Sequence, residues 1–213
     1  QRRTHLNYRL AVVGYTKDEF VTQLQGFLEG AGGVGMFFTD HRPSYAAPRV
    51  GFVFSGQGPQ WFAMGRELSA EEPVFQAMLA ECDRLLRPLA GWSLLDELAQ
   101  SEESTRLDQT EVAQPALFAL QVALVELWKS WGVNPDAIIG HSVGEIAALY
   151  VAGVLDLPSA VRVVWHRGRI MQEATGLGGM ASVPLTEVEA LDLVRSFGER
   201  LSIGAINAPR SVV

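Results

Sequence analysis

The sequence predicts an α/β fold built on a doubly wound parallel sheet, and three observations carry that expectation. Short, wholly apolar runs at 50–54 and 137–139 have the length and composition of strands covered on both faces. Helical patterns lie between and after them, so strand and helix signals alternate through the middle of the chain as a parallel sheet requires. Each run ends in a glycine-bearing loop, Ser55-Gly56-Gln57-Gly58-Pro59-Gln60 or Gly140-His141-Ser142-Val143-Gly144, and open α/β sheets bind ligands at the carboxyl ends of their strands.

Composition bounds the function classes. With 213 residues, 48% of them hydrophobic, the chain can bury a sizeable core in one domain with a smaller companion. A net charge of −7 without a long basic run argues against nucleic acid as a partner, because phosphate binding needs clustered Lys and Arg. Apolar stretches are broken by charges well before the roughly 20 residues of a membrane span. The amino-terminal Gln1-Arg2-Arg3-Thr4-His5 leads into no signal-peptide core, so no membrane association and a soluble, cytoplasmic protein are expected. The only cysteine, Cys82, shares a helical stripe with Phe75, Leu79 and Leu86, which excludes an internal disulfide and predicts a buried, structural thiol. No metal centre is expected.

From the amino terminus, a strand over Tyr8–Val13 precedes a capping box, Thr16-Lys17-Asp18-Glu19, that opens a helix with Phe20, Leu24, Phe27 and Leu28 on one face. Glycines at 30, 32, 33 and 35 end it, and a strand over 34–39 closes a small β-α-β unit too short to be comfortable alone. The aperiodic segment 40–48, with two prolines, reads as a linker, with a domain boundary near residue 46. Helices follow at 73–86, 94–99 and from Gln114 or Pro115 to Trp131, the last with a core stripe of Leu117, Leu120, Leu124, Leu127 and Trp131.

Ser142 lies between an apolar run and a helix-forming run in the pattern G-x-S-x-G, the nucleophile elbow. Gly140 and Gly144 lack the β-carbons that would obstruct such a turn. A helix starting near Val143 aims free N–H groups and its positive dipole end at a group bound to Ser142, a setting that stabilises an oxyanion. The loop at 55–60 lacks the lysine of a phosphate-binding P-loop and does not fit a dinucleotide fingerprint.

The helix opened by Asp156-Leu157-Pro158-Ser159 and running to about Ala174 has a polar stripe, Arg162, His166, Arg169 and Glu173. Ala160, Val163, Val164, Ile170 and Met171 form its expected apolar face, with Arg167 in the middle. An inward guanidinium requires a carboxylate partner, which either the protein or a ligand could supply. None of the histidines, His5, His41, His141 or His166, reads as a general base; His141 is expected to form a wall of the pocket, and His166 to face solvent.

Three motifs in order, Gly56-Gln57-Gly58-Pro59-Gln60, Gly140-His141-Ser142-Val143-Gly144-Glu145 and Arg167-Gly168-Arg169-Ile170-Met171-Gln172, resemble the acyltransferase domains of modular polyketide synthases and, more distantly, malonyl-CoA:acyl carrier protein transacylases. The resemblance covers residues 49–213. It implies an α/β-hydrolase-like parallel sheet core at 47–177, an incomplete ferredoxin-like subdomain beginning at 178, and in 1–46 the last part of the linker from a ketosynthase. It further implies that Ser142 takes a malonyl or methylmalonyl group from coenzyme A and passes it to the phosphopantetheine thiol of an acyl carrier protein, with no bound cofactor. The backbone N–H groups of Gln57 and Val143 would form the oxyanion hole, Arg167 would hold the acyl carboxylate, and Gln60 and Asn207 match positions near the site.

The family's catalytic histidine and carboxyl-terminal specificity residues are expected downstream of residue 213, so the chain reads as a fragment. Met180–Val183, a capping box at Thr186-Glu187-Val188-Glu189 and Leu201–Ile206 are expected to begin the subdomain. Thr110-Glu111-Val112-Ala113-Gln114-Pro115 and Val143 resemble malonyl-type acyltransferases more than methylmalonyl-type ones. Two other readings stay open: an α/β-hydrolase such as a thioesterase, which shares the elbow, and a catalytically incomplete scaffold fragment.

Overall fold

The computed structural model describes residues 6, 8–39 and 49–213. Its contacts divide the chain into two compact units between Arg49 and Val50. The linker reading at 40–48, with His5 and His41, lies outside the described residues.

In the first unit, β1 (Arg9–Val12) and β2 (Met36–Thr39) pair with Arg9 opposite Thr39 and Val12 opposite Met36. Between them runs α1 (Lys17–Leu28), capped by Thr16, whose side chain accepts the Glu19 N–H at 3.2 Å. The Glu19 carboxylate reaches one residue beyond a capping box and accepts the Tyr15 N–H at 2.7 Å. The β-α-β reading of this unit is refined in one respect, since the two strands are antiparallel. The glycine-rich stretch 29–35 lets the chain turn before it pairs, and the Val13 N–H donates to Gly35 at 2.8 Å with Gly35 at a φ of 81°.

The second unit is centred on two parallel strands, β3 (Gly51–Phe54) and β4 (Ala137–Gly140), in register from Gly51 opposite Ala137 to Phe54 opposite Gly140. Hydrogen bonds pin both ends of the pair. At the entry, the Val50 N–H donates to the Asp136 carboxylate and the Asp136 N–H to the Val50 carbonyl, both at 2.7 Å. At the exit, the His141 N–H donates to the Phe54 carbonyl at 2.9 Å. Parallel strands need a crossover, here made of α2 (Arg66–Glu71), α3 (Pro73–Ala90), α4 (Leu94–Leu98) and α5 (Thr110–Ser130). The chain continues through α6 (Gly144–Val151) and α7 (Leu157–Glu173). Among the described residues no helix is long and apolar enough to cross a membrane.

Helix α5 is the axis of the core. Val112, Ala113, Ala116, Val122 and Ala123 are fully buried, and these small side chains let α3, α6 and α7 pack closely around it. The helix begins at Thr110, earlier than Gln114 or Pro115, and carries Pro115 inside, where the buried ring packs in the core at the loss of one backbone donor. Trp131 leaves the expected core stripe: it is the residue after the helix, exposed and edge-on to Trp128. Two carboxylates are buried here, each paired with an arginine that is itself only partly buried. Asp83 accepts the Leu94 N–H at 2.6 Å and pairs with Arg87, while Glu97 pairs with Arg106 at 2.8 Å.

The apolar face expected for α7 is corrected. Its buried residues are Ala160, Val161, Val164, Trp165 and Gly168, whereas Val163, Ile170 and Met171 are exposed. The inward stripe turns through a tryptophan and a glycine, which an aliphatic pattern does not single out, and Arg167 sits half-buried at its edge.

Beyond α7, α8 (Glu187–Arg195) opens with the expected capping box of Thr186 and Glu189. The hairpin of β5 (Ile206–Ala208) and β6 (Ser211–Val212) is antiparallel, and Val183 bridges to Val212 on the other side of β6. Of the segments 180–183 and 201–206, expected to begin the subdomain, the first contributes one bridge at Val183, and the second reaches a strand only at Ile206, where β5 starts. Backbone at Gly204 and Ala205 instead bonds to Val213.

Burial pushes the Cys82 thiol up to about 12 from 9.0. The thiol stays protonated in the folded chain when an unfolded one ionises, so its contribution to stability is present below pH 9.0 and is lost as pH rises toward 12. A thiol-disulfide reagent at pH 8 is expected to leave Cys82 untouched in the native protein and to modify it within minutes in denaturant; equal rates in both states would contradict this burial.

Candidate active site

Ser142 has a φ of 55°, one of only two positive values at non-glycine residues among the described positions. A residue with a β-carbon is strained there, and packing must hold it. Three glycines supply that packing space. A β-carbon on Gly140 would lie 2.6 Å from the Glu145 nitrogen, and one on Gly144 would overlap the Phe54 carbonyl and lie 2.6 Å from that of Ser55. At Gly56 it would meet the His141 imidazole at 2.9 Å and the Ser142 β-carbon at 3.1 Å. The loop after β3, the turn after β4 and the start of α6 therefore close on one point, with Ser142 half-buried at their junction.

Helix α6 starts immediately behind the serine. The Gly144 N–H returns to the His141 carbonyl at 2.9 Å and the Glu145 N–H to that of Ser142 at 3.0 Å. Among the described residues, the backbone N–H groups of Gln57 and Val143 have no protein acceptor. Free donors, one at the start of α6 and one on the loop after β3, can stabilise negative charge that develops beside the hydroxyl.

Arg167 joins α7 to this junction. Its Nη2 donates to Ser142 Oγ at 3.1 Å and its Nη1 to Gln114 Oε1 at 2.7 Å. The approach of α7 to α5 depends on Gly168, where a β-carbon would lie 3.1 Å from the Thr110 carbonyl oxygen and 3.2 Å from the Glu111 α-carbon. Gln114 is wholly buried; its Nε2 donates to Gln57 Oε1 at 3.2 Å and faces Met171 Sδ at 3.3 Å. Gln57 Nε2 in turn donates to Thr110 Oγ1 at 3.2 Å, and the Thr110 N–H to Gln172 Oε1 at 2.6 Å. Among the described residues no carboxylate pairs with Arg167, so its charge meets only neutral oxygens.

The structure thus brings together Ser142, Gln57, Val143 and Arg167. Gln60 turns back on its own loop, accepting the Gly58 N–H at 2.8 Å. His141 flanks the serine but is exposed and not bonded to it, and His166 is exposed on α7. Asn207 is exposed on β5 and makes no hydrogen bond to Ser142. Sequence reasoning did not place Gln114, Thr110 or Gln172 among the partners of Arg167 and Gln57. Gln114 carried a signal, because an amide with Leu117 and Phe118 at helical spacing lies on an apolar face, and a buried amide requires polar partners.

Residues 51–213 match the family described as the acyl transferase domain. Over 99% of its length the chain is 42% identical to erythronolide synthase EryA2 of Saccharopolyspora erythraea, of which it covers 6%. Among solved structures, the acyltransferase domain from module 8 of the salinomycin polyketide synthase is 40% identical, with a TM-score of 0.86 covering 100% of this chain and 50% of that one. The malonyl-CoA:ACP transacylase of Synechocystis sp. PCC 6803 is 30% identical, with a TM-score of 0.65 over 78% of this chain and 54% of its own. The chain therefore spans about half of these solved domains and a small part of the synthase.

Gly144→Ala is expected to destabilise the second unit by about 1–3 kcal/mol, because backbone faces the added methyl. Chemical denaturation measures it; a loss under 0.5 kcal/mol would show that the elbow tolerates a side chain there.

Proposed function

The chain belongs to the acyl transferase domain family, and from that premise we propose that it moves a carboxylated acyl group from coenzyme A, through an ester on Ser142, to the phosphopantetheine thiol of an acyl carrier protein in polyketide synthesis. One observation carries the reading: Arg167 reaches the serine oxygen itself, and no carboxylate of the described residues neutralises it. A cation one hydrogen bond from the nucleophile suits an acyl group that ends in a carboxylate.

In the first half-reaction Ser142 Oγ attacks the thioester carbonyl, forming a C–O bond and placing negative charge on the carbonyl oxygen. The N–H groups of Gln57 and Val143 are the donors available to that oxygen. Collapse breaks the C–S bond, and the proton that Ser142 Oγ gives up in the attack is taken up by the departing coenzyme A sulfur, so the step yields the serine ester and a free thiol. In the second half-reaction the carrier thiol attacks the serine ester, a C–S bond forms as the C–O bond breaks, and the thiol's proton returns to Ser142 Oγ, which regenerates the hydroxyl and makes the route ping-pong. The serine proton is not assigned to His141 or His166, since neither bonds to Ser142. Gln60 orders the Gln57 loop, His141 walls the pocket, and Asn207 is assigned no step.

Malonyl is the preferred extender over methylmalonyl, on the residues Thr110–Pro115 and Val143, and the likeness to a malonyl-CoA:ACP transacylase supports it. We further read residues 1–46 as linker beside a ketosynthase, 47–177 as the hydrolase-like core and 178–213 as the start of a ferredoxin-like subdomain. A coenzyme A thioester substrate suits a cytoplasmic protein.

Intact-mass analysis of the full protein with malonyl-, methylmalonyl- and acetyl-CoA tests this. A malonyl adduct is expected that Ser142→Ala abolishes, and Arg167→Ala is expected to lower malonyl loading on the order of a hundredfold while acetyl loading persists. An adduct persisting in Ser142→Ala, or release of free acid in place of transfer to a carrier thiol, would refute the proposal.

A further inference from the structure

Arg167 is held in place by a chain of neutral side chains, and the direction of every bond in that chain is imposed by the arginine. A guanidinium only donates, so Gln114 must turn Oε1 toward it, as the 2.7 Å contact records. That leaves Gln114 Nε2 buried and in need of an acceptor; Met171 Sδ is a weak one and Gln57 Oε1, at 3.2 Å, the strong one. Gln57 is exposed and free to turn its amide over, which would set two NH2 groups against each other. The need of buried Gln114 Nε2 for an acceptor sets the direction of the Gln57 amide, and the Thr110 hydroxyl, which accepts from Gln57 Nε2 at 3.2 Å, anchors its far end. Thr110 is itself anchored to α7, through its N–H to Gln172 Oε1 at 2.6 Å and its carbonyl against Gly168. The ring thus starts and ends on the helix that carries the arginine.

We infer that Thr110, the Gln57 side chain and Gln114 form a relay that positions Arg167 to receive the carboxylate of the acyl group, an inference that rests on the carboxylate reading proposed above. None of the three touches the reacting atoms through its side chain. Their part is to occupy Nη1 and hold the guanidinium plane, so that Nη2 faces the serine and ordering of a long, flexible side chain is complete before substrate arrives. Bonds aligned in one direction also polarise one another, so loss of the terminal hydroxyl is felt at the arginine. Gln57 has two functions in this arrangement, with its backbone N–H available to the oxyanion and its side chain in the relay.

The test compares Thr110→Val, which keeps the shape and removes the hydroxyl, with Thr110→Ser, which restores it, and with Arg167→Ala, all in the full protein. The readout is the ratio of kcat/KM for loading malonyl-CoA to that for loading acetyl-CoA, together with the thermal midpoint. Thr110→Val is expected to lower the ratio about three- to tenfold, through a higher KM for malonyl-CoA, and Thr110→Ser to stay within about twofold of the unsubstituted protein. If Arg167→Ala collapses the ratio while Thr110→Val leaves it unchanged, or lowers both substrates equally, the relay has no positioning role. If Arg167→Ala itself leaves the ratio unchanged, the carboxylate reading fails and the relay's role with it.

Discussion

The interaction on which the rest of the site depends is the span of Arg167 from Gln114 to Ser142. A half-buried guanidinium is costly unless its donors are met, and a protein carboxylate would meet them most fully while cancelling the charge. Here neutral oxygens meet them, so the cation is hydrogen-bonded yet remains available to an anion. That distinction separates a binding arginine from a structural one, and only the identity of the partners reveals it.

Everything that brings the arginine to the serine is close packing. The α5–α7 approach depends on a missing β-carbon at Gly168, and the elbow depends on missing β-carbons at Gly56, Gly140 and Gly144. The β3–β4 register, pinned at Asp136 and at His141, aligns the two loops so that Gln57 and Ser142 leave the sheet side by side. Ser142 holds an unfavourable φ, a local strain that the close-packed elbow around it must offset.

The elbow was legible because its chemistry is local: strand, turn and helix lie within a dozen residues, and G-x-S-x-G states the steric requirement directly. Arg167 was legible as an inward charge, although the face drawn around it was wrong, since Trp165 and Gly168 replace the expected Ile170 and Met171. Its partner was not legible. Gln114 lies 53 residues away in the chain, and nothing local says that its amide meets a guanidinium. The same limit applies to the first unit, where helix and strand signals were correct but pairing direction depends on how a glycine-rich turn is spent.

The measurement that bears most directly on the account is a crystal structure of the protein acylated on Ser142 with malonyl-CoA. The account requires the acyl carboxylate within about 2.7–3.0 Å of the Arg167 guanidinium, with the Arg167–Gln114 bond retained and the ester carbonyl oxygen directed at the Gln57 and Val143 N–H groups. A carboxylate directed into solvent, or an arginine that has left Gln114 to reach it, would contradict the account.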